Sequence, residues 1–220
     1  MAHTPMHEID WHKLYSGKTG GKLLFDGKAL EEYRRQEKPF AELVKRHAGS
    51  GQRGLDAGCG LGRMTLLLSL EGYCMTALDR DRRMLEIAEK NVNANGGKAD
   101  FVAGDLTSLE FPADSFDFIV HQGILEHYSE EEAKDILRHH LSVARLVAFS
   151  VPIAGEKTKV YFGGDSIERN VRDFDGWMKA LAGFKVAEAF EAQQRSFNLL
   201  AAITRWPQKS APETRLRKEQ

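Results

Sequence analysis

The 220-residue chain has only two cysteines, Cys59 and Cys74, and they do not form a C-x-x-C pair. That excludes a disulfide framework, a zinc ribbon and dithiol redox chemistry, and both thiols are expected to be reduced and structural. Long apolar runs are missing as well. No stretch approaches the ~18 residues that a bilayer crossing needs, and "MAHTPMHEIDWHKLY" has no apolar core of signal-peptide length, which predicts a cytoplasmic protein without membrane contact. Neither sign of charge is in excess: 31 Lys and Arg face 32 Asp and Glu, a formal net charge of -1. Such a balance gives no field that would gather nucleic acid, which argues against a large polyanionic substrate. No carboxylate and histidine spacing suits a metal triad, and there is no internal repeat.

What is present is enough apolar sequence, 42% of the chain, for one domain with a sizeable core. Gly27 to His47 carries Leu30, Tyr33, Phe40 and Val44 at helical spacing, with a break or kink expected at Pro39. From Leu55 onward, strands and helices alternate. A strand runs into glycines, a helix covers Met64 to Leu70, and "YCMTALD" forms a second strand. Asp81 caps a helix to Asn91, "ADFVAGDL" and "SFDFIVHQGIL" are strands, a helix covers Glu130 to His140, and "ARLVAFSVPI" is a further strand. This order predicts an α/β fold, a mostly parallel sheet with helices on both faces. After a helix around Trp177 to Leu181, "FKVAEAFEA" and "SFNLLAAITRW" have hairpin spacing, so the sheet should end in an antiparallel pair. Residues 207–220 are polar and predicted to be disordered.

"GLDAGCGLGR", Gly54 to Arg63, places Gly58, Gly60 and Gly62 after the first strand. In an open α/β sheet this strand-to-helix turn is where a ligand sits, and glycines allow backbone to approach it closely. The third glycine comes one position early for the dinucleotide fingerprint, and no G-K-[ST] follows as in a P-loop. A nicotinamide enzyme using the same sheet is the rival on fold alone.

"LDAGCGLGR", "TALDRDRRMLEIAEKN", "FVAGDL", "FDFIVHQGILEH" and "SVP", in that order, resemble the class I S-adenosylmethionine-dependent methyltransferases, in particular the small-molecule branch of type 11 or 12. The resemblance covers roughly Leu55 to Trp206. It implies a Rossmann-like seven-stranded sheet and a cofactor-binding methyltransferase domain over residues 51–206, with residues 1–50 as a helical cap or lid. It implies S-adenosylmethionine as cofactor and S-adenosylhomocysteine (SAH) as product. It also implies site residues. Asp56 and the Gly58 carbonyl would face the methionine ammonium, and Asp79 would accept both ribose hydroxyls. Asp105 and the Leu106 amide would hold the adenine, flanked by Arg80 and Met84. His121 and Gln122 would touch the methionine part through their backbone. The plain alternatives are a strand-end cap for Asp79 and a turn role for Asp105.

Methyl transfer from a sulfonium depends chiefly on alignment, and a base is needed only when the nucleophile arrives protonated. His127 and His121, at the end of the fourth strand, are the candidate bases; His139 and His140 read as surface or packing. Trp11, Tyr15 and Tyr161 are candidate substrate contacts from two segments at the sheet's carboxyl edge, though Trp11, Phe25 and Phe162 equally suit a core. "HQGI" is not the Asp/Asn/Ser-Pro-Pro-aromatic run of adenine-amino enzymes, and "SVPI" lacks the cysteine of cytosine-C5 enzymes. The expected activity is methyl transfer to a small molecule by a monomer or homodimer. An RNA or protein methyltransferase, or a regulatory protein that binds the cofactor without turnover, is the alternative.

Overall fold

The computed structural model describes residues 9–156, 158–159, 167–194, 197–205 and 215–217. The sheet order is β3-β2-β1-β4-β5-β7-β6, formed by β1 (Arg53–Ala57), β2 (Cys74–Asp79), β3 (Ala99–Ala103), β4 (Phe116–Gln122), β5 (Ala144–Pro152), β6 (Lys185–Gln193) and β7 (Phe197–Thr204). The first five strands run parallel, and β7 returns antiparallel between β5 and β6. A three-residue strand, β8 (Arg215–Arg217), lies parallel to β6 at the outer edge, inside the tail expected to be disordered.

The helices are α1 (Trp11–Thr19), α2 (Gly27–Ala48), α3 (Arg63–Leu70), α4 (Arg82–Ala94), α5 (Glu130–Val143) and α6 (Phe174–Ala180). Their starts follow from capping chemistry. Asp26, Asp81 and Asp173 each accept a backbone N–H of the first turn, and Ser129 with Glu132 forms a capping box on α5. In the N-terminal stretch α1 starts behind Asp10, which accepts from the Lys13 amide at 2.9 Å. α2 continues through Pro39 to Ala48.

Strand parity sorts side chains into two cores. Ile119 of β4 and Val147, Phe149 and Val151 of β5 pack with α5 and α6 on one face. Phe118 and Val120 of β4 with Leu146 and Ala148 of β5 pack with α2 and α3 on the other. α2 therefore shares its core with the sheet, and the boundary drawn at residue 50 does not separate two cores. The carboxyl ends of β1, β2 and β4 open onto one edge, where α1 crosses.

Among the described residues, no helix is long and apolar enough to cross a membrane.

Candidate active site

The turn from β1 into α3 is held against the end of β2. The amides of Gly58 and Cys59 both donate to the Leu78 carbonyl, at 2.8 and 2.9 Å. The Gly60 amide donates to Asp79 Oδ2 at 2.9 Å, and Asp79 Oδ1 accepts from the Asp81 amide at 3.0 Å. One carboxylate thus fixes the glycine loop and the start of α4 together. A carboxylate has about four acceptor positions, so two remain for a ligand. Burial raises the Asp79 carboxyl above its ordinary range, against the pull of those two amides.

Asp56 is buried and accepts from the Thr65 amide at 2.9 Å and its hydroxyl at 2.6 Å. Burial pushes its carboxyl up to about 6 despite those bonds, and the charge of Asp79 adds to the rise. Asp105, after β3, uses Oδ1 to accept from the Thr107 amide and hydroxyl, both at 2.8 Å.

These residues line a crevice of about 600 Å³, with Gly58, Gly60, Asp79, Arg80, Asp105 and Leu106 along its floor and Trp11 and Tyr15 of α1 above. Asp56 opens into a smaller recess beside it, with Gly58, Gly60 and Gln122. A second cavity, of about 770 Å³, adjoins the crevice. The two share Trp11, Tyr15, Gln122 and Gly123. His127 lines the second cavity, its ring edge-on to Trp11 at 5.5 Å between centroids and Nδ1 3.3 Å from the Glu168 carbonyl.

Three expected site residues lie elsewhere. Met84 is fully buried beneath α1, in a cluster with Leu23 and Leu61, so it cannot flank an adenine. Gly62 faces α4: a Cβ there would sit 2.9 Å from Ala88 Cβ. The His121 side chain is fully buried, stacked on Phe149 at 5.6 Å and 5.4 Å from His140. Its strand parity is that of Ile119, which turns it into the core, while Gln122 emerges at the strand's end. Burial and the neighbouring His140 hold the His121 ring well below the usual histidine range, and the ring, with no exposed surface, does not reach an acceptor. His140 is a packing residue whose Nε2 meets the Leu106 carbonyl at 2.8 Å. Tyr161 and Phe162 fall outside the described residues.

Sequence reasoning missed the polar floor of the second cavity. Glu37 of α2, 1% exposed, accepts through Oε2 from Gln122 Nε2 at 2.7 Å and Gln194 Nε2 at 2.5 Å. Gln194 Oε1 accepts from the Ser150 hydroxyl at 2.7 Å, and Asn198 donates to that hydroxyl at 2.8 Å. A signal for Glu37 was present. It falls on the stripe of Leu30, Tyr33, Phe40 and Val44, where a charge on a buried face marks a site rather than a solvated surface. Glu126, 2% exposed, also lines this cavity, as does Arg169. Among the described residues no group of three or more His, Cys, Asp or Glu could hold a metal ion.

A parallel sheet in this order with a reversed β7, a glycine turn after β1 and acids ending β2 and β3 is the architecture of a class I methyltransferase. Residues 55–145 match the family described as "Methyltransferase domain". Chloroplastic magnesium protoporphyrin IX methyltransferase of Arabidopsis thaliana is 25% identical over 181 residues, 81% of this chain and 56% of that protein. The ubiquinone biosynthesis O-methyltransferase of Methylocella silvestris is 34% identical over 77 residues, 35% of this chain and 30% of that protein. The chain thus spans about half or less of the length of these curated relatives. Among solved structures, magnesium protoporphyrin IX methyltransferase from Synechocystis PCC 6803 with bound SAH superposes with a TM-score of 0.67 at 21% identity, covering 89% of this chain and 97% of that one. The [4+2]-cyclase SpnF superposes at 0.68 with 16% identity, covering 93% and 97%. Similarity at that level shows the fold, not the reaction.

Proposed function

We propose that this protein is a methyltransferase. It binds S-adenosylmethionine in the crevice and delivers the methyl group past Gly123 to a small acceptor in the adjoining cavity. One observation carries the reading: a crevice lined by the glycine turn, Asp79 and Asp105 shares Trp11, Tyr15, Gln122 and Gly123 with a polar cavity at the carboxyl end of β4. The donors and acceptors fit the compound. Asp79 keeps two acceptor positions for the ribose hydroxyls, Asp105 Oδ2 serves the adenine amino group beside the Leu106 amide, and Arg80 flanks the ring. Asp56, with the Gly58 carbonyl, takes the methionine ammonium, and the Gln122 backbone borders the methionine chain. When bound, the compound supplies an electrophilic methyl on a good leaving group. The protein's part is to align it and exclude water.

Trp11 and Tyr15 roof both cavities, so α1 is the lid of this reading. His127 and Gln122 border the acceptor. The net charge of -1 favours a small-molecule acceptor over RNA, and the cytoplasm is the proposed compartment. Calorimetry should show SAH binding and no NADH binding, and labelled methyl donor should transfer label to a component of a metabolite extract. Preferential NADH binding would overturn the reading, and SAH binding without any transfer would favour a regulatory role.

The Asp56 carboxyl makes SAH affinity pH-dependent. An ammonium prefers the ionised form, so affinity falls as pH drops through about 6. Between pH 7 and pH 5 the loss should be about tenfold, because the ionised fraction falls by that factor. In Asp56→Asn the affinity should be weaker but flat over this range; an unchanged acid limb removes Asp56 from the role.

A further inference from the structure

Methyl transfer to a carboxylate needs no base, whereas a hydroxyl, or an amine that arrives as an ammonium, must give up a proton. Which applies is written in the acceptor cavity. Glu126 sits in the 3-10 turn Leu125–His127 after β4, and its main-chain carbonyl accepts from the Asn170 amide at 2.6 Å, which pins the turn. Its side chain is 2% exposed and lines the cavity. Oε1 lies against Gly123, where an added Cβ would meet it at 3.4 Å, and Gly123 is part of the wall shared with the crevice. Oε2 is buried with no hydrogen-bond partner among the described residues. Such an oxygen costs about 1–3 kcal/mol unless something bonds to it, so a carboxyl buried half-unpaired beside the junction needs a reason.

We propose that Glu126 is the general base of the reaction and that the acceptor presents a hydroxyl or amine, not a carboxylate. This rests on the methyl-transfer reading. The acceptor's oxygen or nitrogen bonds to the donor methyl carbon as the carbon–sulfur bond breaks, its electron pair going to sulfur. The O–H or N–H proton passes to the Glu126 carboxylate and leaves to solvent after product release. Burial pushes this carboxyl up to about 8 against the pull of Arg169, which gives it the proton affinity of a base working near neutrality. The charged and titratable groups around the cavity are Tyr15 and Lys18 from α1, Glu37 from α2, His127 with Nε2 3.9 Å from Oε1, and Arg169. The buried Glu37 carboxylate faces the space an acceptor would fill and disfavours an anionic nucleophile there, as does Glu126 in the ionised form that serves as base.

The test uses the full chain, labelled S-adenosylmethionine and a metabolite extract, with the labelled product then heated in alkali. Methyl esters release labelled methanol under that treatment, whereas ethers and methylamines keep the label. Alkali-stable label is expected. In Glu126→Gln, transfer should fall by about 10² to 10⁴-fold, the usual worth of a general base, while SAH affinity by calorimetry stays within threefold. Glu126→Asp should recover part of the rate, and the wild-type rate should rise with pH through about 8. Alkali-labile label, or a Glu126→Gln rate within fivefold of wild type, overturns the proposal while leaving methyl transfer standing. Parallel loss of rate, SAH affinity and thermal stability in Glu126→Gln would show a structural role and overturn it too. No label at all in the presence of SAH binding sinks methyl transfer itself, and this inference with it.

Discussion

Asp79→Ala is expected to weaken SAH binding by at least about 100-fold. A hydrogen bond to a charged group contributes about 1.5–3 kcal/mol, and each 1.4 kcal/mol is about tenfold in affinity, so losing two ribose contacts accounts for the factor. The side chain does more than meet a ligand: it accepts from the Gly60 amide at 2.9 Å and the Asp81 amide at 3.0 Å. Alanine releases both, and the glycine turn loses its anchor to the end of β2. Asp79→Asn separates the two effects, since it keeps one carbonyl oxygen for the loop and gives up the charge. Its loss should be smaller, about tenfold, in line with the difference between neutral and charge-assisted bonds. Titration calorimetry with SAH measures both, beside thermal melts showing that the variants are folded. An Asp79→Ala affinity within threefold of wild type would remove the ribose from this carboxylate.

The parts of the site that were legible in the sequence are those fixed by strand ends. Asp79 ends β2 and Asp105 stands two residues after β3, and in an open α/β sheet such residues converge on the ligand edge. The fold was readable for the same reason, because alternating strands and helices admit few topologies. His121 shows where parity was not pressed far enough. It shares the face of Ile119, so the pleat alone sends its ring between Phe149 and His140, while Gln122, one residue on, reaches Glu37. The acceptor cavity was not legible because long-range contacts build it. Gln122 lies 85 residues from Glu37, and Gln194 lies 157 from it. No local pattern relates an α2 carboxylate to a hairpin amide, and only the finished packing shows that they meet.

Gly62 and Gly60 look alike in "GLDAGCGLGR", yet their alanine variants should fail in opposite ways. Both have positive φ, +76° and +55°, which a side chain rarely adopts. At Gly62 an added methyl would lie 2.9 Å from Ala88 Cβ and 3.1 to 3.2 Å from the Ala88 backbone, and backbone cannot swing aside. Gly62→Ala should therefore cost about 3 kcal/mol, combining the left-handed penalty with overpacking between α3 and α4. For a domain of this size that is a fall in Tm of about 9 °C. The folded fraction should still bind SAH within about threefold of wild type, because Gly62 does not border the crevice. At Gly60 the nearest atom to an added methyl is Tyr15 Oη at 3.8 Å, across open crevice. Gly60→Ala should lose only about 1 kcal/mol of stability, the conformational cost alone, but its methyl occupies the ligand's path and SAH affinity should fall more than about tenfold, the equivalent of 1.4 kcal/mol. Melting curves and calorimetry on the pair decide it. A stable Gly62→Ala that no longer binds SAH would return Gly62 to the ligand site, and the close approach of α3 to α4 would then need another cause.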